Sequence, residues 1–530
     1  MSLRRLDLWL FTLALVVAVA VIGIPLAAVR YPPMTDLPFH AAMTSTLRHY
    51  GDVGFHFREQ FEWTPVAVPY VSLYALGAAF MWVLPPVIAV KCAVAVFLAL
   101  LPAGLSILCR GLTKSPLLGV LGLLVVWGPL THWGFINFVG AIGLFAASLG
   151  LALLVVERPT LARQAWLSLT LVILFFTHIF RFPIAVVAVV GAALIVGPRR
   201  RLAAVIASLL PSLALFAVWL GRRPPSLAAP IGRIALHLDR LSELDCLTGA
   251  FDDPREGRAL VTAGVALAAF LVLGIVARVA GAERGARSLA QRGFRARARI
   301  VALGAVAGTL ILYLVLPMQI GDWWYVYPRE ATTAVFLAFA LAPDLPRAPG
   351  FRVAVALCML VAPIPTALVV TRNYAEFADE AQDFAAITTL LPRAPRLLYL
   401  VFDHDGSTRR VSPFTHLPAW VQAEKGGWLS FHFTKFGAAP IRYWDRRGRE
   451  GVIPPPTPPA WEWHPDAFDV QDRGPFFDWF LVRKEDSPAA MFSADSTIIP
   501  VAQVRKWWLY QRREPRLRTA NVGDAPGRLP

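Results

Sequence analysis

An aspartate followed four residues later by a histidine stands in the stretch Tyr31-Pro32-Pro33-Met34-Thr35-Asp36-Leu37-Pro38-Phe39-His40. Residues four apart share one face of a helix. A carboxylate placed there could act as a general base, with the imidazole beside it to tune or orient it. The same residues also describe a helix start, with Asp36 as N-cap and Pro38 in the first turn. The two readings are compatible. Asp36 is the first acid after an apolar run at residues 8–29, so the carboxylate sits where the chain leaves a membrane.

Other polar residues are embedded in apolar surroundings. His132-Trp133-Gly134-Phe135-Ile136-Asn137-Phe138 joins two apolar runs, and Asn137 is a substrate-binding candidate within it. Thr177-His178-Ile179-Phe180-Arg181-Phe182-Pro183 forms a hairpin with a histidine and an arginine at membrane depth. An aromatic-rich loop, Gly321–Glu330, ends in Arg329-Glu330. Charged or titratable side chains at such depth are costly, which makes His132, His178, Arg181 and Arg329 functional candidates. A satisfied tertiary contact is the alternative for each, and Glu330 could neutralise its neighbour Arg329. The paired acids Asp252-Asp253 could hold a divalent cation, but Asp253-Pro254 reads better as a turn. No HExxH, Walker-type loop or GxSxG motif occurs, so zinc proteolysis, nucleotide hydrolysis and serine-hydrolase chemistry have no support. His416, His432 and Arg442, late in the chain, read as surface or structural residues.

These groups must be positioned by membrane helices. The 530-residue chain is 56% hydrophobic and only 16% charged, with repeated apolar runs of the length that marks a polytopic α-helical membrane protein. Eleven spans are expected, at about 8–29, 87–109, 116–132, 135–156, 165–179, 182–197, 202–220, 257–280, 300–318, 331–343 and 351–371. Residues 66–84 fit a re-entrant or membrane-surface helix better than a further span, because that count keeps the basic loops on one side. The net charge of +16 resides mostly in those short loops, and Arg278–Arg299 alone holds seven arginines against one glutamate. The positive-inside rule accounts for this and leaves no case for nucleic-acid binding. The N-terminus is then inside, while the loop 30–65 and the residues named above lie outside. Several spans are short for a core of roughly 30 Å, and such helices usually line a cavity. Cys92, Cys109, Cys246 and Cys358 are scattered singly, so neither a disulfide framework nor a cysteine metal site follows. Residues 1–371 make the transmembrane domain. Residues 372–530, rich in charge, proline and tryptophan, make a small extracytoplasmic α/β domain, with strand candidates at Leu397–Asp403 and Trp428–Phe436 and a disordered tail.

An N-terminal span, an outside loop opening on an aspartate, many short spans and a final outside domain resemble the GT-C superfamily of polytopic glycosyltransferases. More narrowly, the chain is similar to a group of uncharacterised bacterial membrane proteins of that type. The residues carrying the resemblance are Asp36–His40, Trp133–Phe138, Thr177–Phe180 and Arg329 with the span after it. The resemblance implies transfer of a sugar from a polyprenyl-phosphate donor to an extracytoplasmic glycan, lipid or protein acceptor, in a bacterial inner membrane. It also implies Asp36 as base, supported by His40, and His178, Arg181 and Arg329 as phosphate ligands. No cofactor is implied, a divalent cation being the alternative; the chain lacks a second acid directly beside Asp36. A non-catalytic envelope assembly or sensor protein of the same fold, or a transporter of lipids or small anions, are the competing readings.

Overall fold

The computed structural model describes residues 3–64, 68–223, 234–243, 247, 249–280, 289–321, 323–406, 410–435, 439–449, 451–458 and 460–513. Cys246 and the tail from residue 514 lie outside the described residues. The expected spans fall on helical segments, the conformation that satisfies backbone hydrogen bonds within an apolar segment, although 116–132 and 351–371 are each divided between two. The first half comprises α1 (Leu3–Ala27), α2 (Leu37–Arg48), α3 (Ser72–Phe80), α4 (Pro86–Gly111), α5 (Ile136–Glu157), α6 (Leu161–Thr177), α7 (Arg181–Val196) and α8 (Arg199–Arg222). The second adds α9 (Pro254–Val279), α10 (Leu289–Val315), α11 (Pro328–Ala338), α12 (Pro349–Val361) and α13 (Ile364–Thr388). Among the described residues, seven helical segments are long and apolar enough to cross a membrane, α12 and α13 counting as one. Three shorter apolar helices, Pro116–Val125, α6 and α7, accompany them. Pro116–Val125 is wound as a 3-10 helix. The expected span 331–343 is α11 with a 3-10 turn, Phe339–Leu341. With nine residues, α3 is about 13 Å long and well short of a crossing.

Helix α5 is apolar all round, the pattern of a helix enclosed by others, and nearly every residue in it is buried. Its closest neighbour is α4. A Cβ on Gly104 would stand 2.0 Å from the Gly143 carbonyl oxygen, so the two backbones meet only because neither position carries a side chain. The basic loops gather at one end of this bundle. There the Lys114 ammonium donates to the Ala340 and Ala342 carbonyls, Arg295 meets Asp344, and Arg352 pairs with Asp7.

At the other end sits a five-stranded mixed sheet. Its strands are β2 (Arg396–Val401), β3 (Trp428–Leu429), β5 (Trp479–Arg483), β6 (Ile498–Val504) and β7 (Trp507–Arg512), in the order β3-β2-β5-β7-β6, the first three parallel. The remaining strands make a separate pair: β1 (Phe61–Trp63) from the first loop runs antiparallel to β4 (Ile441–Tyr443). Two expectations change here. The shift in composition after residue 371 falls inside α13, which continues unbroken to Thr388. Among the described residues of Trp428–Phe436, which end at Lys435, only Trp428–Leu429 is strand and Phe433–Lys435 is a 3-10 turn, because Phe431 and Phe433 turn towards a cavity rather than extend the ladder. Helix α14 (Ala419–Lys425) packs on α2, and Glu424 accepts from both Arg30 and Tyr31. The first loop and the sheet domain are thus clamped together.

Candidate active site

A cavity of about 560 Å³ lies between the helical bundle and the sheet domain. Asp36, His40, Asn137, His178 and Arg329 all line it. Asp36 and His40 apart, the sequence places these residues far from one another, and the fold gathers them because the first loop, the start of α5, the α6–α7 hairpin and the start of α11 share one end of the bundle.

Asp36 occupies the N-cap position of α2, with Pro38 in the first turn, as expected. Its side chain makes no capping hydrogen bond. Instead the loop is held by its backbone: the Thr35 and Asp36 amides donate to the His132 and Trp133 carbonyls at 2.9 and 3.2 Å. Gly134 makes this docking possible. Its φ is +85°, and a Cβ there would meet the Asp36 amide nitrogen at 2.8 Å. The carboxylate therefore remains open to the cavity, 21% exposed. Burial, opposed by the cation of Arg329 and reinforced by Glu462, raises its pKa to about 7. A base tuned to neutral pH is what proton abstraction requires.

The His40 ring makes no hydrogen bond to the Asp36 carboxylate. Its Nε2–H donates to the Gly134 carbonyl and its Nδ1 accepts from the Tyr74 hydroxyl, each at 3.0 Å. With both nitrogens engaged and burial lowering its pKa to about 4, His40 is a neutral strut. It ties α2 to the loop that carries Gly134 and so helps to place Asp36 at the start of that helix.

The arginines divide their roles. Arg329 lines the cavity, its Nε and Nη2 anchored on the Tyr325 and Trp324 carbonyls at 3.0 and 2.7 Å. Its guanidinium lies 4.0 Å from the Phe135 ring centroid. Among the described residues no carboxylate forms an ion pair with it, and Nη1 makes no hydrogen bond. Glu330 does not neutralise it; Glu330 instead takes Arg181 through a bidentate pair at 3.0 and 2.8 Å, with Thr333 accepting as well. The expectation that Arg181 binds phosphate is corrected accordingly. Arg181 is fully buried, does not line the cavity, and fastens α7 to α11. His178 and Asn137 do line the cavity, and the His178 Nδ1 and Asn137 Oδ1 atoms are buried without a hydrogen-bond partner, which leaves both available to a ligand. Tyr70, in a left-handed conformation with φ 65°, stands 3.5 Å from the His178 Nε2.

His132 is structural: its Nδ1 donates to the Gly128 carbonyl and its ring packs among Phe251 and Tyr374. Asp253 caps α9 and binds Arg255 and Asn373. One Asp-x-Asp triplet occurs, Asp403-His404-Asp405, but Asp403 pairs with Arg483 and Lys506 while Asp405 accepts from Ser412. Among the described residues, no three His, Cys, Asp or Glu side chains are grouped as metal ligands. Arg442 pairs with Glu62 across the β1–β4 ladder, and His432 bonds Thr434. The sheet domain also reaches the cavity through His416, Phe431, Phe433, Glu462 and Trp463. Local spacing carries no signal for these contributors, because their partners lie at the other end of the chain.

No protein-family model matches the chain, and no curated protein matches it in sequence. Among solved structures it is similar to ArnT from Cupriavidus metallidurans, determined with bound undecaprenyl phosphate. The TM-score is 0.53 at 12% identity, over 96% of this chain and 98% of that one. Arabinofuranosyltransferase AftD from Mycobacteria also matches, with a TM-score of 0.47 and 16% identity over 96% of this chain and 42% of the other. The chain has a GT-C-like membrane fold.

Proposed function

We propose that the protein is an integral-membrane glycosyltransferase that moves a sugar from a polyprenyl-phosphate donor to a hydroxyl of an extracytoplasmic acceptor. The observation that carries this reading is the Asp36 carboxylate. It stands at a helix start without capping the helix, is open to the cavity, and shares that cavity with a single unpaired arginine, Arg329. Asp36 takes the acceptor proton, and the acceptor oxygen bonds to the anomeric carbon as the bond from that carbon to the phosphate oxygen breaks. The phosphate leaves with the bonding electrons, and Arg329 offers Nη1 donors to the charge that develops. The partnerless His178 and Asn137 atoms supply further polar contacts, and the aromatic walls of Trp133, Trp323 and Trp324 present flat apolar faces to sugar and lipid. A phosphate leaving group needs no nucleotide-binding machinery. The undecaprenyl phosphate bound by ArnT supports a lipid-phosphate site in this fold. In this reading the sheet domain faces the extracytoplasmic side of a bacterial inner membrane.

Mass spectrometry of envelope glycans and lipids tests the proposal, comparing a deletion strain complemented with wild type or with Asp36→Asn. One glycosylated species should vanish on deletion, return with wild type and stay absent with Asp36→Asn. Its return with Asp36→Asn would remove the proposed base. Tight undecaprenyl phosphate binding with no lost species would favour an assembly or sensor protein instead.

A further inference from the structure

The sheet domain sends one titratable side chain to within reach of the base. His416 Nε2 lies 3.7 Å from Asp36 Oδ1, and the imidazole is 7% exposed. That distance is too long for a direct hydrogen bond. Burial holds the ring neutral, with a pKa lowered to about 3, so the contact is no ion pair. The His416 Nδ1 is buried without a partner. His40 in the same cavity has both nitrogens bonded; His432 nearby is bonded to Thr434 through Nδ1 and, like His416, keeps one buried nitrogen without a partner, but it does not line the cavity, and what sets His416 apart is the Asp36 carboxylate facing its Nε2. Packing alone does not account for it. Its ring rests 4.5 Å from Phe39 and 6.4 Å from Phe433, where a phenylalanine would fill the space without burying unpaired nitrogens.

We propose that His416 is the second group on the acceptor hydroxyl, its Nε2–H holding the acceptor oxygen while Asp36 takes the proton. An oxygen at about 2.8 Å from both Nε2 and Oδ1 bridges a gap of this size. The ionised carboxylate facing Nε2 favours the tautomer with its hydrogen on that nitrogen, which then donates to the hydroxyl oxygen. The hydroxyl hydrogen is left to point at Asp36. A neutral imidazole suits this task, because a cation there would compete for the carboxylate and depress its basicity. Arg329, Glu462 and His404 are the other charged or titratable groups that act on the pair. The inference rests on the glycosyl-transfer reading, and it makes the sheet domain a source of acceptor contacts.

The test uses the full-length protein and the envelope species defined by the deletion strain, with His416→Gln, His416→Asn and His416→Phe beside Asp36→Asn. The glutamine amide nitrogen stands near the place of Nε2, whereas that of asparagine stands near Nδ1. Expected are near-wild-type product with His416→Gln and losses on the order of 100-fold with His416→Asn and His416→Phe, the usual effect of removing one such donor. Binding of undecaprenyl phosphate by the purified variants should stay within about twofold of wild type, since Arg329 is untouched. Full product with His416→Phe overturns the proposal. If His416→Phe fails to fold, as judged by thermal melting, the Gln–Asn pair decides, and equal product from both overturns it. Loss at Asp36 with retention at His416 refutes only the role of His416, while retention at both refutes the base itself.

Discussion

Burial leaves the Asp36 acid titrating near 7, so the fraction able to accept a proton rises as the pH rises through neutrality. Transfer rate at limiting substrate should therefore climb from pH 6 to pH 8 with a midpoint near 7. A flat profile across that range would contradict a base at this position. The stability consequence has the opposite sign. The folded pKa lies above the unfolded value of 3.8, so between about 4 and 7 the folded state holds a proton that the unfolded state has released. Stability from this group is complete at the acid end and declines as the pH rises to 7. Asp36→Asn should consequently raise the melting temperature more at pH 8 than at pH 5, while abolishing transfer. Equal shifts at both pH values would show that the carboxylate is not buried as described. Arg329 is tested by affinity. A hydrogen bond to a charged group is worth about 1.5–3 kcal/mol. Arg329→Ala should accordingly weaken undecaprenyl phosphate binding by roughly 10- to 150-fold, and Arg329→Lys should recover part of it, because lysine keeps the charge and loses the fork. Unchanged binding in Arg329→Ala would move the phosphate site towards His178 and Asn137.

Between elements, the neighbours Arg329 and Glu330 show why a sequence displays candidates more readily than roles. Successive residues on a helix point about 100° apart, so both cannot face the cavity, and nothing in the local sequence says which one does. The fold turns Arg329 inward and gives Glu330 to Arg181. Glu330→Gln, mild if Glu330 served only Arg329, should instead leave a buried guanidinium without its charge partner. Breaking a buried pair from one side costs about 3–5 kcal/mol. Chemical or thermal unfolding in detergent measures the loss, and a change below about 1 kcal/mol would mean that the pair is solvated. The pair Asp36 and Pro38 was legible as a helix start, yet the failure of Asp36 to cap depends on Gly134, nearly a hundred positions later. Gly134→Ala combines a left-handed backbone with a Cβ driven into the Asp36 loop. It should therefore lower activity more than Asn137→Ala while costing on the order of 1–3 kcal/mol. Full activity in Gly134→Ala would show that the loop docks in some other way.

For the whole molecule, the helical bundle was readable because apolar runs and basic loops are local, repetitive signals. The cavity's second wall was not, because His416, Glu462 and Trp463 join it only when the two ends of the chain meet. Cysteine-accessibility labelling should place 30–65, 321–330 and 372–513 on one side of the membrane and 278–299 on the other; a sheet domain labelled from the arginine-rich side would reverse the proposed orientation. The β1–β4 ladder has a temporal meaning as well. Chains are made from the N-terminus onward, so Phe61–Trp63 waits with an unpaired edge until Ile441–Tyr443 has been synthesised. Until then the nascent protein can present Asp36 and Arg329 but has neither His416 nor the aromatic residues of the sheet domain that line the cavity. A half-made or truncated chain therefore lacks one wall of the cavity, and under the proposed function it would be a poor catalyst, an activated lipid sugar meeting an open hollow in which water competes with any acceptor. Under the same proposal, completion of the last domain doubles as the step that switches transfer on.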